Sequence, residues 1–312
     1  MDSANAGLRG PVALVGYGEV GGILAEDLRA QGVAVTAFDI KLGTVAGGAL
    51  RAHAQAHGVQ LAASAAAAVQ GAALVVSAVT ASQAVAVAQA CAPAIAPGAF
   101  FLDFNSASPG AKISAAGHIN AAGGRYVEGA VMTSVPPYRI KVPLLLGGPN
   151  ADALAPLLSA LGFAPRVASI TLGVASATKM CRSVMIKGLE AMVIESFTTA
   201  RAHGVEDALL ASLAETFPGI DWERQGAYFF QRVIEHGRRR SEEMFEAAQT
   251  VREAGLHPWS ASASAQRQAA VAVLADTGLF GRRGEPGFAR SADWRTEADR
   301  LLASRQPPAV KP

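Results

Sequence analysis

"ALVGYGEVGGILAEDLRAQGVAVTAFD", from Ala13 to Asp39, is the stretch that determines the fold class of this chain. A short apolar run leads into Gly16, Gly18 and Gly21, which have the spacing G-x-G-x-x-G, and a helical pattern follows them. A second apolar run then ends at Asp39, 18 residues after Gly21. A strand, a glycine-rich turn, a helix, a second strand and an acid in this order predict a dinucleotide-binding βαβ unit.

Each part of this motif has a physical role. Gly16 permits a tight turn, Gly18 lets the backbone approach a pyrophosphate, and Gly21 lets the helix pack closely on the strand. Backbone N–H groups and the positive end of the helix dipole then face the phosphates. Asp39 would accept hydrogen bonds from the adenosine ribose and repel a 2′-phosphate, which favours NAD, although Lys41 leaves NADP open. The alternative interpretation is that the glycines only form a tight turn and that Asp39 is only a polar residue at the end of a strand.

The composition excludes several classes of partner. The chain has 312 residues and a net charge of +2, so no strong field favours nucleic acid or an anionic membrane. Residues 52–102 contain no Asp, Glu, Lys or Arg, but polar residues and prolines interrupt them, so we expect no membrane span. The first ten residues lack the apolar core of a signal peptide. Cys91 and Cys181 are expected to be free, buried thiols, as in a reducing cytoplasm, and we predict a cytoplasmic protein.

Apolar strands alternate with helical patterns up to about residue 170, which predicts a mostly parallel sheet covered on both faces. A long unbroken helical stretch follows, at about 173–203. The later signals are helical, with separate ones at 222–237 and 238–255, as far as a tail at 303–312 that we expect to be disordered. We therefore predict an α/β protein. A Rossmann-type domain with a doubly wound parallel sheet would occupy residues 1–170. An all-α domain for substrate binding and dimerisation would occupy 171–312, with 173–203 as the linking helix.

A second constellation lies at the start of that helix, in "TLGVASATKMCRSVMIKGLEAM" (171–192). Lys179 and Ser183 are four residues apart and therefore share a helix face. A lysine in a semi-buried cleft can exchange a proton with an alcohol or carbonyl oxygen. From the residues alone, a lysine that extends to the surface is an equally open interpretation, and Lys187, one turn further on, competes for the role.

Four blocks of the sequence resemble the β-hydroxyacid dehydrogenases, the family of 3-hydroxyisobutyrate, tartronate semialdehyde and 6-phosphogluconate dehydrogenases. They are "GYGEVG" (16–21), "LDFNSASPGA" (102–111), "YVEGAVMTSVPP" (126–137) and "GVASATKMCRS" (173–183). The resemblance covers nearly the whole chain and is strongest over 12–200. The C-terminal part indicates a branch of the 6-phosphogluconate dehydrogenase-like proteins whose C-terminal domain is divergent.

The resemblance implies an NAD(P)-dependent oxidoreductase that transfers hydride between a nicotinamide cofactor and a 3-hydroxyacid-type substrate. Lys179 would be the general acid/base, and Ser183 would replace the family's asparagine beside the reacting oxygen. The family's substrate-binding Ser-Gly-Gly corresponds to Met132, Thr133 and Ser134. The implied cofactor-binding residues are Gly16, Tyr17, Gly18, Glu19, Val20, Gly21, Asp39, Val79, Thr80 and Asn105. The resemblance also implies a homodimer.

Departures from the family pattern concern the substrate. Met132 stands in the place of a serine and cannot bind a carboxylate, and Ala175 replaces the second glycine of the lysine motif. Met132, together with the aromatic residues Tyr228, Phe229 and Phe230, favours a bulkier or less polar substrate than hydroxyisobutyrate. Two other functions stay open: an imine reductase-like enzyme, against which Lys179 argues, and a non-catalytic NAD-binding sensor. The chain has no H-E-x-x-H or C-x-x-C pattern, so we expect no metal.

Overall fold

A computed structural model describes residues 10–289 and 291–304 of the chain. The expectations for the first nine residues and for the tail beyond residue 304 lie outside this range. The described part forms two compact units, one of residues 10–181 with 253–255 and one of residues 182–252 with 256–304. None of the helices in this part combines the length and the hydropathy that a bilayer crossing requires.

The first unit is built on an eight-stranded sheet. Its strands are β1 (Val12–Val15), β2 (Val35–Phe38), β3 (Gln60–Leu61), β4 (Leu74–Ser77), β5 (Phe100–Asp103), β6 (Arg125–Val131), β7 (Pro143–Gly147) and β8 (Ala164–Ser169). They lie in the order β3-β2-β1-β4-β5-β6-β7-β8, and all neighbours are parallel except β6 and β7. The first six strands have the Rossmann order, which confirms the predicted doubly wound sheet.

Helices connect these strands and cover both faces of the sheet. They are α1 (Glu19–Ala30), α2 (Gly47–His57), α3 (Ala65–Val69), α4 (Ala84–Cys91), α5 (Pro109–Ala121) and α6 (Ala151–Ala160). All four residues of β1 are buried, and their side chains alternate between two apolar layers, with Leu14 in one and Ala13 and Val15 in the other. Burial on both faces is typical of a central strand, and doubly wound folds generally bind their ligands at the carboxyl ends of such strands.

The second unit is helical. It contains most of α7 (Val174–His203) and α9 (Trp222–Glu253), together with α8 (Glu206–Thr216), α10 (Trp259–Asp276) and α11 (Trp294–Ala303). Large aromatic side chains form its core; they include Phe197, Trp222, Phe230 and Trp294. The combination of an α/β unit and a helical unit confirms the predicted fold class.

Two details differ from the sequence expectations. The signals at 222–237 and 238–255 belong to one helix of 32 residues, α9. Gly237 does not end that helix, because α10 packs against it: a Cβ there would lie 2.8 Å from the carbonyl oxygen of Gln268. Cys91 is buried as expected, but the expectation for Cys181 is wrong, since it is exposed on α7.

Candidate functional site

The three motif glycines have different surroundings. Gly16 follows β1 with a φ of +96°, and a Cβ on it would lie 2.3 Å from the carbonyl oxygen of Ala78. A Cβ on Gly21 would lie 2.1 Å from the carbonyl oxygen of Gly16. A Cβ on Gly18 would meet nothing within 4 Å. Packing thus requires glycine at 16 and 21, whereas Gly18 leaves open space at the N-terminus of α1, which Glu19 and Val20 begin.

Asp39 lies at the carboxyl end of β2, next to this turn. Its carboxylate accepts a hydrogen bond from the backbone N–H of Tyr17 and another from that of Lys41, each 2.8 Å long. Asp39 is buried. The acid is therefore fixed beside the glycine turn, in the position where a Rossmann fold presents a carboxylate to a ribose.

Asn105 joins the ends of two central strands. Its Oδ1 accepts a hydrogen bond from the backbone N–H of Val79 at 2.7 Å, and its Nδ2 donates to Ser77 Oγ at 3.0 Å. Val79 also lies against the turn, because a Cβ on Gly16 would be 2.9 Å from its Cγ1. Thr80 follows as an exposed residue. These contacts link the glycine turn to the segment after β5.

A buried ionic network holds that segment in place. Asp103, the last residue of β5, is 2.9 Å from Lys112 Nζ, and both side chains are inaccessible to solvent. Tyr126 donates its hydroxyl hydrogen to the other carboxylate oxygen at 2.7 Å. Burial first, and then the charge of Asp103, hold the pKa of Tyr126 well above its usual range. This network was not predicted from the sequence, although the acid at the end of an apolar strand was a visible signal.

Glu128 anchors the start of α7. This fully buried residue of β6 accepts hydrogen bonds from the backbone N–H groups of Gly173 and Ala175, at 2.9 and 3.0 Å, and from Ser176 Oγ at 2.8 Å. A carboxylate at a helix N-terminus also interacts favourably with the helix dipole. The anchored first turn fixes the start of the helix, the part that bears Lys179. A glutamate within a buried strand was the signal that the sequence analysis overlooked.

Lys179 is half-buried and points to the segment that Asn105 holds. Its Nζ donates a hydrogen bond of 2.6 Å to Ser106 Oγ. A continuous series of contacts therefore runs from the glycine turn through Val79, Asn105 and Ser106 to this ammonium group. Ser106 was not among the residues predicted from the sequence.

The remaining predicted residues have partners of their own. Met132 is half-buried and packs on the cluster of Ala130, Leu145 and Ala175. Met132 and Ala175, which both depart from the family pattern, therefore belong to one apolar cluster. Thr133 is exposed and Ser134 half-buried.

Ser183 belongs to the second unit, where it is buried. Its Oγ accepts a hydrogen bond of 3.0 Å from Lys187 Nζ, which also forms an ion pair of 2.7 Å with Glu243. The hydroxyl of Ser183 thus has a cationic partner within its own unit. Lys187, the competing candidate in the sequence, is engaged in this buried network.

Comparison with known proteins identifies the class. The family model described as the NAD binding domain of 6-phosphogluconate dehydrogenase matches residues 11–169, and a domain of unknown function, DUF1932, matches residues 200–271. The chain belongs to this family of nicotinamide-dinucleotide-binding domains. More particularly, the chain is related to the β-hydroxyacid dehydrogenases, with a divergent C-terminal domain and a nicotinamide dinucleotide, NAD(P), as cofactor.

Individual relatives are similar to this chain over different shares of its length. A conserved hypothetical protein from Sinorhizobium meliloti 1021 has 37% sequence identity and a TM-score of 0.73, over 94% of this chain and 96% of that one. The conserved protein MTH1747, described as structurally similar to 3-hydroxyacid dehydrogenases, has 26% identity and a TM-score of 0.65, over 85% of this chain and 99% of that one. An uncharacterized 28.5 kDa protein from Methanothermus fervidus is 30% identical over 162 residues, which are 51% of this chain and 60% of that protein.

Proposed function

We propose that this protein transfers hydride between a nicotinamide cofactor and a hydroxyacid-type substrate, with Lys179 as the general acid/base. The observation that carries the proposal is the 2.6 Å hydrogen bond from Lys179 Nζ to Ser106 Oγ. It lies beyond the carboxyl end of β5, on the edge of the sheet where doubly wound folds bind their ligands. A proton-exchanging group at this edge is what oxidation of an alcohol, or reduction of a carbonyl, requires.

The residues of the first unit fit a dinucleotide. The open space at Gly18 and the N-terminus of α1 suit a pyrophosphate. The carboxylate of Asp39 is held by a hydrogen bond from the backbone N–H of Lys41, which is itself an exposed residue. When bound, the nicotinamide ring accepts or supplies the hydride. The protein then has to move one proton at the substrate oxygen. Lys179 in its neutral form takes that proton during oxidation, and its ammonium form returns it during reduction.

Ser106 and the segment after β6 complete the proposed site. Ser106 fixes the position of the lysine head group through the hydrogen bond it accepts. The hydroxyls of Thr133 and Ser134 supply polar contacts for a carboxylate or a hydroxyl. Met132 instead packs on Ala175, which removes the polar group that the family has at this position. We therefore expect the enzyme to prefer a less polar substrate than hydroxyisobutyrate.

The proposed role of Lys179 is tested with Lys179→Met and with Lys141→Met, which replaces an exposed lysine of the same unit. Nicotinamide absorbance is followed with NAD and NADP across 3-hydroxyacids, sugar acids and bulkier aryl hydroxyacids. We expect Lys179→Met to lower kcat by about 10²- to 10⁴-fold, the usual contribution of a general acid/base, with unchanged dinucleotide affinity by fluorescence. Lys141→Met should retain full activity.

The same assay separates the alternatives. Full activity in Lys179→Met would reject the catalytic role of this lysine. Reduction of cyclic imines by wild type and by Lys179→Met alike would favour an imine reductase. Tight dinucleotide binding without turnover of any substrate would favour a sensor.

Cofactor preference depends on Asp39. In Asp39→Asn the hydrogen bond from Tyr17 N–H can persist, but the negative charge that faces a ribose is lost. Hydrogen bonds to charged groups contribute about 1.5–3 kcal/mol, so we expect NAD to bind about 10- to 100-fold more weakly. NADP should be affected less, because its repulsion from the carboxylate disappears. Titrations that show an unchanged ratio of NAD to NADP affinity would contradict this role; the exposed Asp152→Asn is the control.

A further inference from the structure

A cluster in the first unit is not used by the proposed function. Glu26 of α1 and His53 and His57 of α2 each place one potential ligand atom within 4.8 Å of the others. The two histidines are four residues apart, so they share a helix face, and their ring centroids are 4.5 Å apart. The sequence "AHAQAH" (52–57) contains this H-x-x-x-H spacing, which a search for H-E-x-x-H or C-x-x-C does not detect.

We propose that Glu26, His53 and His57 bind a divalent transition-metal ion of the Zn²⁺ type, in a site separate from the hydride-transfer chemistry. Two imidazoles and one carboxylate are a donor set that zinc uses in proteins, with water in the fourth position. Mg²⁺ and Ca²⁺ prefer oxygen ligands alone, so this set discriminates against them. This proposal departs from the expectation, drawn from the sequence motifs, that the chain binds no metal.

The distance between two of the three ligands suits such an ion with little rearrangement. His53 Nε2 and Glu26 Oε1 are 2.9 Å apart. Two ligands that each bind tetrahedral zinc at about 2.0–2.1 Å lie about 3.3 Å from one another. The pair therefore has to separate by only a few tenths of an ångström, with the ion in place of the shared proton.

The outer contacts of His53 resemble those of a metal ligand. Its other ring nitrogen, Nδ1, is 2.7 Å from the hydroxyl oxygen of Tyr17. A metal-bound histidine generally uses its second nitrogen in this way, which fixes the orientation of the ring.

The outer contacts of Glu26 also suit a metal ligand. Its Oε2 accepts a hydrogen bond of 2.7 Å from Arg139, which leaves Oε1 for the metal. The positive charge of Arg139 is shared with Asp27, at 2.8 Å, so two carboxylates surround one guanidinium and a negative charge remains.

The test measures Zn²⁺ binding to the full chain by equilibrium dialysis and calorimetry. We expect one equivalent on the wild type. Since loss of an outer partner typically costs 10- to 100-fold in metal affinity, Tyr17→Phe should weaken binding by about 10-fold and His57→Ala or Glu26→Gln by at least about 100-fold. His203→Ala, which removes an exposed histidine at the end of α7, should bind as the wild type does.

Several outcomes would overturn the proposal. They are a wild type that binds no Zn²⁺, a His57→Ala variant that still binds one equivalent, and a Co²⁺ adduct with intense thiolate charge-transfer absorption, which would place the metal at the exposed Cys181. Alanine is the best helix former, so His57→Ala is expected to fold, and circular dichroism checks this. Because dinucleotide binding is not measured, the result is independent of the proposed hydride transfer.

Discussion

Gly18 and Gly21 belong to one motif but have different reasons to be glycine. Gly21 lacks a side chain because the backbone of the preceding turn occupies that space, with an oxygen 2.1 Å from the position of a Cβ. Gly18 has open space there and an ordinary φ of −82°. Glycine at 21 is therefore required for folding, whereas the open space at Gly18 leaves room for a ligand.

Alanine substitutions should separate these two constraints. Gly21→Ala is expected to lower the free energy of unfolding by about 1–3 kcal/mol or more, the usual cost of overpacking. Gly18→Ala should lower it by less than about 1 kcal/mol, because alanine is only a poorer N-cap, yet weaken dinucleotide binding strongly. Urea unfolding and dinucleotide titration measure the two quantities. A Gly18→Ala variant that keeps full dinucleotide affinity would show that this space is not used.

At the residue scale, the sequence predicted what is local. Gly16, Gly18, Gly21 and Asp39 lie within one βαβ unit, so their spacing alone indicated how they are arranged. Ser106 could not be found in this way, because its contact with Lys179 joins residues 73 positions apart. The same is true of other partners that only the completed sheet brings together.

At the scale of elements, α7 depends on a strand that it does not follow in sequence. Glu128 of β6 supplies a buried acceptor for two backbone N–H groups of its first turn, Gly173 and Ala175. The position of Lys179, five residues into the helix, follows from this anchor.

Glu128→Gln should therefore lower the stability of the fold. The glutamine side chain has the shape of glutamate but no charge. Its NH2 group is a donor that faces the N–H and hydroxyl donors at the start of α7. We expect the free energy of unfolding to fall by about 1.5–3 kcal/mol, as for loss of a hydrogen bond to a charged group. The exposed Asp152→Asn, in the first turn of α6, should change it by less than about 1 kcal/mol. Urea unfolding of both variants is the measurement, and equal small effects would contradict the anchoring role.

Element prediction was reliable where the pattern was simple. The alternation of apolar strands and helices indicated the sheet, because both faces of each central strand are buried. The continuity of α9 was missed, since Gly237 and the three arginines after it have the appearance of a helix end. Only the packing of α10 on Gly237 explains why a glycine lies within a helix there.

At the scale of the whole molecule, stability should depend on pH through His236 in the second unit. Burial first, and then Arg232, Arg239, Arg240 and Arg283, lower the pKa of this histidine to about 4. The carboxylate of Glu235, 3.7 Å away, is more exposed and does not offset them. The folded chain thus binds fewer protons than the unfolded chain between about pH 6.5 and pH 4, so acid favours unfolding in this range.

His236→Gln should abolish that part of the pH dependence. Between about pH 7.5 and pH 5, the wild type is expected to lose about 1–2 kcal/mol more of its free energy of unfolding than the variant does. Urea unfolding at the two pH values gives the difference. The exposed His203→Ala should behave as the wild type. Identical losses in all three proteins would mean that His236 is not desolvated in the folded state.

The class of fold was predictable for the whole molecule because one motif and one change of pattern, near residue 170, determine it. The boundary between the two units was harder to predict, because it lies after Cys181, within a helix, where the sequence pattern has no break. The homodimer stays a prediction from family resemblance, and light scattering would decide it.

The contact between β6 and β7 also bears on how this chain can evolve. Gly147 pairs with Glu128 across the two strands, and a methyl group on Gly147 would lie 2.1 Å from the carboxylate oxygen Oε1. Any side chain at 147 would displace the acid that starts α7, so mutations at the two positions are epistatic. Gly147→Ala should be tolerated only in a lineage that already has a shorter residue at 128, as Glu128→Asp would provide. The two positions should therefore covary among descendants, although neither touches a substrate.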